Sequence, residues 1–203
     1  MAVGEFLDAL AAKTPTPGGG SAAALLGGIG ASLGVMACRF TMGEKFKAHA
    51  AEMETAINGL LNLRGQLLSL MDADAAAYDQ VSTALALPKG TDAEKTARKH
   101  ALNGALRGAM EVPLRTMDCC LRALQILQRH APQLNANLAS DLAAGALSLG
   151  SGLEVAWLNV LINAITLGED EKARKLRSEA EKVRREAGEL TASILGAVNA
   201  VVK

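Results

Sequence analysis

The sequence predicts an all-α fold, a helical bundle of about six to seven helices with several long members. Three observations predict it. Nearly every long segment repeats its apolar residues at helical spacing. No segment shows a sustained strand alternation bounded by turn pairs. The five prolines fall at points where helices would stop or restart. With 203 residues, half of them hydrophobic and 21% charged, the chain can bury a real core as one domain spanning residues 1–203.

A short first helix is expected over Val3–Lys13, stopped by the turn Thr14–Gly20 with its two prolines and three glycines. Ser21 is placed to cap a second helix running to about Thr41. Residues 21–38 carry no charge for eighteen positions, the lower limit for a membrane span. Their Ala and Gly content yields little transfer energy, however, and a Pro-Thr-Pro-Gly-Gly-Gly segment precedes them. A small-residue helix buried between others is the better reading, with the chain soluble, in the cytoplasm and away from membranes. Gly27, Gly30 and Gly34 on that helix permit close approach of another backbone, from the same chain or from a second subunit.

The third helix, about Lys47–Leu87, has an apolar seam of Met53, Ile57, Leu60, Leu67, Met71, Tyr78, Val81 and Leu85. Arg64 and Asp74 fall in the same register, and a charge in a buried seam is costly unless paired or used. Leu87-Pro88-Lys89-Gly90 ends this helix, and Thr91 with Glu94 forms a capping box for the fourth, about Asp92–Glu111. Pro113 either kinks that helix or starts a fresh one through about Gln128. After a loop at Pro132, Asn137 or Ser140 can cap the sixth helix, which reaches about Leu167. One of its faces is ordinary core. The neighbouring one reads Asp141, Gly145, Ser148, Gly152, Ala156, Asn159 and Asn163, small or polar throughout, as in a packed or ligand-lined wall. The last helix, about Asp170–Val201, is amphipathic and rich in charge on its outer face.

Balanced charge, 21 basic against 21 acidic residues, and 2% aromatics argue against a nucleic-acid binder. Three cysteines, two of them adjacent, do not form a secreted disulfide framework, and Cys119 and Cys120 read as small buried residues. His49, His100 and His130 have no ligand partners at metal-site spacing, so no metal is expected, nor does any motif mark a serine or cysteine nucleophile. Gly18-Gly19-Gly20-Ser21 opens a helix and offers free N–H groups to an anion, although it lacks the lysine of a nucleotide loop. A tight turn with a serine cap explains it as well. Asp74 and Tyr78 lie one turn apart on the same side of the third helix. They stand either as a partly desolvated carboxylate with a phenol beside it, suited to acid–base work, or as part of a structural link to Arg64 or another helix. Asp141, Asn159 and Asn163 form a second polar cluster, for which helix capping and interhelical hydrogen bonds are the plain alternative to a functional role.

The ordered motifs Thr14-Pro15-Thr16-Pro17-Gly18-Gly19-Gly20-Ser21, Gly43-Glu44-Lys45-Phe46, Asp74-Ala75-Ala76-Ala77-Tyr78, Leu87-Pro88-Lys89, Val112-Pro113-Leu114, Asn137 through Ser140-Asp141 and Asn159-Val160-Leu161-Ile162-Asn163 span the whole chain. Together they resemble the formimidoyltetrahydrofolate cyclodeaminase/methenyltetrahydrofolate cyclohydrolase family. Two departures stand out: Glu44 makes the second motif less basic than the family's, and Tyr78 stands where Phe is commoner.

The resemblance implies a dimeric helical enzyme acting on tetrahydrofolate derivatives as substrates, with no prosthetic group. It implies catalytic roles for Asp74 and Asp141, and substrate contacts from Gly18, Gly19, Gly20, Ser21, Lys45, Tyr78, Asn159 and Asn163. The expected reaction is hydrolysis of 5,10-methenyltetrahydrofolate to 10-formyltetrahydrofolate. One alternative is closure of formiminotetrahydrofolate to the methenyl compound with loss of ammonia; the chain has no room for the transferase domain that often feeds that step. A further alternative is a non-catalytic folate-binding dimer whose Gly30 and Gly34 serve mainly as an interface.

Overall fold

The computed structural model describes residues 2–168 and 170–202. Among them are six α-helices and no strand: α1 (Val3–Ala11), α2 (Gly19–Arg39), α3 (Ala50–Leu85), α4 (Asp92–His130), α5 (Ala139–Leu167) and α6 (Glu171–Val201). Short 3₁₀ segments lie between α2 and α3 (Glu44–His49) and between α4 and α5 (Ala131–Gln133 and Ala136–Leu138).

Helix α2 lies inside the bundle, against α3, α5 and part of α4. Its glycines explain how it fits. A Cβ on Gly30 would sit 2.7 Å from the carbonyl oxygen of Gly145 and 2.9 Å from the backbone nitrogen of Leu149. One on Gly152 would lie 2.7 Å from the carbonyl oxygen of Ala23. The backbones of α2 and α5 therefore touch, running antiparallel. Gly27 makes room for Cys120 and Leu67, and Gly34 for Leu127 and Leu60. The close approach is thus internal to the chain, which removes the main support for a glycine-built subunit interface. By length and composition α2 and the segment Ala136–Leu167 are apolar enough to cross a membrane, but 61% of the α2 window is buried in the bundle.

The core of α3 is set by Met53, Ala56, Ile57, Leu60, Leu63, Leu67, Leu70 and Ala84. This corrects the expected seam. Leu63 and Leu70 take the inward positions, so Arg64 falls beside the seam while Asp74 remains on it. The reason is drift: at 3.6 residues per turn a strict four-three alternation rotates slowly around the helix. Beyond Asp74 the expected apolar positions Tyr78 and Leu85 are exposed.

Pro113 neither ends nor restarts a helix, since α4 runs unbroken through it. Proline has no N–H to give the carbonyl of Ala109 four residues earlier. The side-chain amide of Asn163 on α5 donates to that oxygen instead, at 3.3 Å. The Thr91–Glu94 box forms as expected: the Thr91 N–H reaches the Glu94 carboxylate at 2.8 Å and holds it below the usual carboxylate range. Neither Asn137 nor Ser140 caps α5. Asn135 caps the preceding 3₁₀ turn, and α5 starts after Leu138 without a side-chain cap.

Helix α6 packs through Ala173, Ala180, Ala187 and Ile194, a seven-residue repeat, with Leu176, Val183 and Leu190 partly buried between them. Asp170 caps its first turn by accepting from the Ala173 N–H at 2.9 Å and also pairs with Arg107 of α4. All three cysteines are buried as free thiols; burial pushes Cys38 up to about 11 and raises Cys119 and Cys120 as well.

Candidate active site

The two sequence features that stood apart, the glycine-rich start of α2 and the carboxylate on α3, meet. Gly18 is extended and begins α2, which leaves the N–H groups of the first turn without helical acceptors. Asp74 fills that role from across the interface. Its Oδ2 accepts from the Ser21 N–H at 2.8 Å and from the Ser21 hydroxyl at 3.0 Å. Ser21 is therefore not the cap that sequence predicts but the third residue of a helix capped by a carboxylate from α3. The link that the carboxylate makes is to Ser21, and among the described residues no ion pair joins it to Arg64.

Gly20 shapes the junction. A Cβ there would fall 2.0 Å from Oδ1 of Asp74, so only glycine lets the carboxyl group settle on the helix end. Among the described residues Oδ1 accepts no hydrogen bond. Asp74 is half-buried, with the aligned peptide dipoles of α2 behind it favouring negative charge at this point.

Other expected residues gather nearby. Gly19 faces Asn159 of α5, whose amide nitrogen would lie 3.6 Å from a Cβ on that glycine. That amide donates to the carbonyl of Val155 on its own helix at 2.9 Å. One turn further Asn163 bridges to Ala109, so its NH₂ group serves the proline-freed carbonyl. Tyr78 stands one turn past Asp74 and is exposed. The Gly18–Ser21 turn does not present all its N–H groups to an incoming anion, because Asp74 takes that of Ser21.

A groove opens beside this cluster, one turn beyond Asp74. It has a volume of about 670 Å³ between α3 (Ala76, Ala77, Gln80) and α4 (His100, Gly104, Gly108). This size falls in the range of small-molecule sites. Its α4 wall ends at Ala109, where Asn163 binds. Sequence reasoning missed this wall: the small residues of α4 are spaced for one face, but without knowing that α3 lies opposite, nothing distinguishes them from an ordinary packing stripe.

Two expected residues lie elsewhere. Lys45 sits in the exposed turn before α3, its ammonium over the Phe46 ring. Roughly 36 Å of helix separates the start of α3 from Asp74, at about 1.5 Å per residue. Asp141 lies in the first turn of α5. Because α5 runs antiparallel to α2, that turn is roughly 27 Å from Asn159. Within one chain neither residue joins the Asp74 cluster. Among the described residues no group of three His, Cys, Asp or Glu is close enough to hold a metal ion.

Comparison with known proteins follows this geometry. A family model for formiminotransferase-cyclodeaminase matches residues 2–182. Methenyltetrahydrofolate cyclohydrolase of Methylorubrum extorquens is 37% identical over 198 residues, covering 97% of this chain and 95% of that protein. Formimidoyltransferase-cyclodeaminase of Rattus norvegicus is 34% identical over 96% of this chain, which spans only 36% of that longer protein. The crystal structure of formiminotetrahydrofolate cyclodeaminase from Thermotoga maritima superposes with a TM-score of 0.89 at 26% identity, over 100% of this chain and 98% of that one. With the family model covering residues 2–182 and a 37% identical relative matching end to end, the chain belongs to the formiminotransferase-cyclodeaminase family.

Proposed function

We propose that the protein is a methenyltetrahydrofolate cyclohydrolase, converting 5,10-methenyltetrahydrofolate and water to 10-formyltetrahydrofolate and a proton. The observation that carries this reading is the end-to-end similarity to the Methylorubrum extorquens enzyme of that name. The site supplies the chemistry. The methenyl bridge is a cation, and the Asp74 carboxylate attracts it electrostatically and accepts a proton from the attacking water. The water oxygen bonds to the bridge carbon. The tetrahedral carbon then collapses to a formyl group on N10: its bond to N5 breaks, N5 keeps the electron pair, and the remaining hydroxyl proton passes to N5. The groove between α3 and α4 accommodates part of the folate, with Gln80 and His100 as its polar contacts and Tyr78 and Asn159 at its Asp74 end.

A second reading, ring closure of formiminotetrahydrofolate with loss of ammonia, draws on the Thermotoga maritima structure and the rat relative. Both reactions pass through a tetrahedral carbon between the same two nitrogens, so Asp74 serves either. Lys45 and Asp141 enter through a homodimer. Ile29 of α2, Leu68 of α3 and Leu147 of α5 leave an exposed apolar surface for a second copy. An antiparallel arrangement brings the far end of one copy to the Asp74 end of the other. The reading places this dimer in the cytoplasm, without a prosthetic group.

The test is direct. Purified protein is incubated with methenyltetrahydrofolate, and loss of near-ultraviolet absorbance is followed beside ammonia release from the formimino substrate. Acceleration of the first reaction well above the second is expected. Preference for the second would make the chain a cyclodeaminase, and binding without either turnover would make it a folate-binding protein.

A further inference from the structure

The Ser21 hydroxyl has an arrangement that helix capping alone does not require. Ser21 is 1% exposed, so no bulk water replaces it. Its N–H already supplies the helix-capping bond to Oδ2 of Asp74. Its hydroxyl adds a second bond to the same oxygen at 3.0 Å and has an alternative acceptor, the carbonyl of Met71, at 3.1 Å. A hydroxyl carries one proton and serves one of these acceptors at a time. With Asp74 ionised, the charge draws that proton to Oδ2. When Oδ1 takes a proton, Oδ2 becomes a weaker acceptor and the hydroxyl can turn to Met71. The bond can follow the charge.

We infer that Ser21 is a positioning residue rather than a substrate contact, fixing Oδ2 of Asp74 so that Oδ1, beside Gly20, is the oxygen that receives the proton of the attacking water. This rests on the hydrolytic reading above and deepens it. The groups around Asp74 leave the role to Ser21. Helix α2 presents Gly20 and Ser21 there, and Asn159 of α5 lies against the adjacent Gly19. On α3 itself the nearest titratable group along the same face is Tyr78. Across the groove α4 presents His100, and Arg107, outside the groove lining on the same helix, is committed to Asp170.

The experiment measures kcat and KM of methenyltetrahydrofolate hydrolysis, together with thermal melting, for the wild type, Ser21→Ala, Ser21→Thr and Asp74→Asn. Ser21→Ala should lower kcat about tenfold, as loss of one charge-assisted hydrogen bond implies. KM should stay within about twofold. Ser21→Thr, which keeps the hydroxyl, should recover most of kcat. Should Ser21→Ala not fold, Ser21→Cys keeps the shape of the side chain while its thiol is only a weak donor, and is read the same way. A wild-type kcat, with the loss confined to melting, overturns the inference, as does a loss carried wholly by KM. Those results with Asp74→Asn inactive overturn only the role of Ser21. Asp74→Asn as active as the wild type overturns the reading of the site and the inference with it.

Discussion

The two halves of α2 use glycine for opposite purposes. At Gly27, Gly30 and Gly34 the missing side chain is replaced by neighbouring hydrocarbon and backbone, and the result is packing. At Gly20 the same vacancy is filled by a carboxylate from α3, and the result is a charged group held at a helix end beside a groove. The lesson is that the group occupying the space where Cβ would be decides what a glycine does. Spacing along the sequence does not.

Substitutions can break this contrast in order of effect. Gly30→Ala meets backbone that cannot yield, and should lower the free energy of unfolding by about 3 kcal/mol in a urea titration. Turnover per folded molecule should be little changed. Gly20→Ala pushes instead against the end of a movable side chain. It should leave stability within about 1 kcal/mol while kcat/KM falls roughly a hundredfold as Asp74 swings away. A large loss of stability at Gly20, or of turnover at Gly30, would erase the distinction between the two halves. The smallest effects come from glycines whose Cβ meets open space. Gly65→Ala and Gly104→Ala, both inside helices, should each stabilise by about 0.5–1 kcal/mol. Only Gly104→Ala, on the groove wall, should also raise KM. Equal KM values for the two would remove the groove from the site.

The helices were legible because their apolar periods and caps are local properties; the Thr91–Glu94 box and the start of α6 at Asp170 illustrate this. At Pro113 the sequence left a kinked or a restarted helix open; what it did not show was the support from Asn163, fifty residues away, which takes the carbonyl that the proline frees. Asp74 stood out as a charge on an apolar face. Its partner did not, since Ser21 is the obvious cap of α2 until the fold brings a stronger acceptor to it. The isolation of Lys45 and Asp141 from Asp74 depends on α5 running antiparallel to α2 and on the length of α3. No short motif encodes either.

The central claim is that Asp74, seated on the start of α2, is the proton acceptor of the reaction. Steady-state hydrolysis of methenyltetrahydrofolate by Asp74→Asn, with circular dichroism and urea unfolding on the same sample, tests it most directly. The account predicts a folded protein whose kcat has dropped by about three orders of magnitude. An Asp74→Asn protein that turns over at the wild-type rate and is merely less stable would show that the carboxylate only caps a helix.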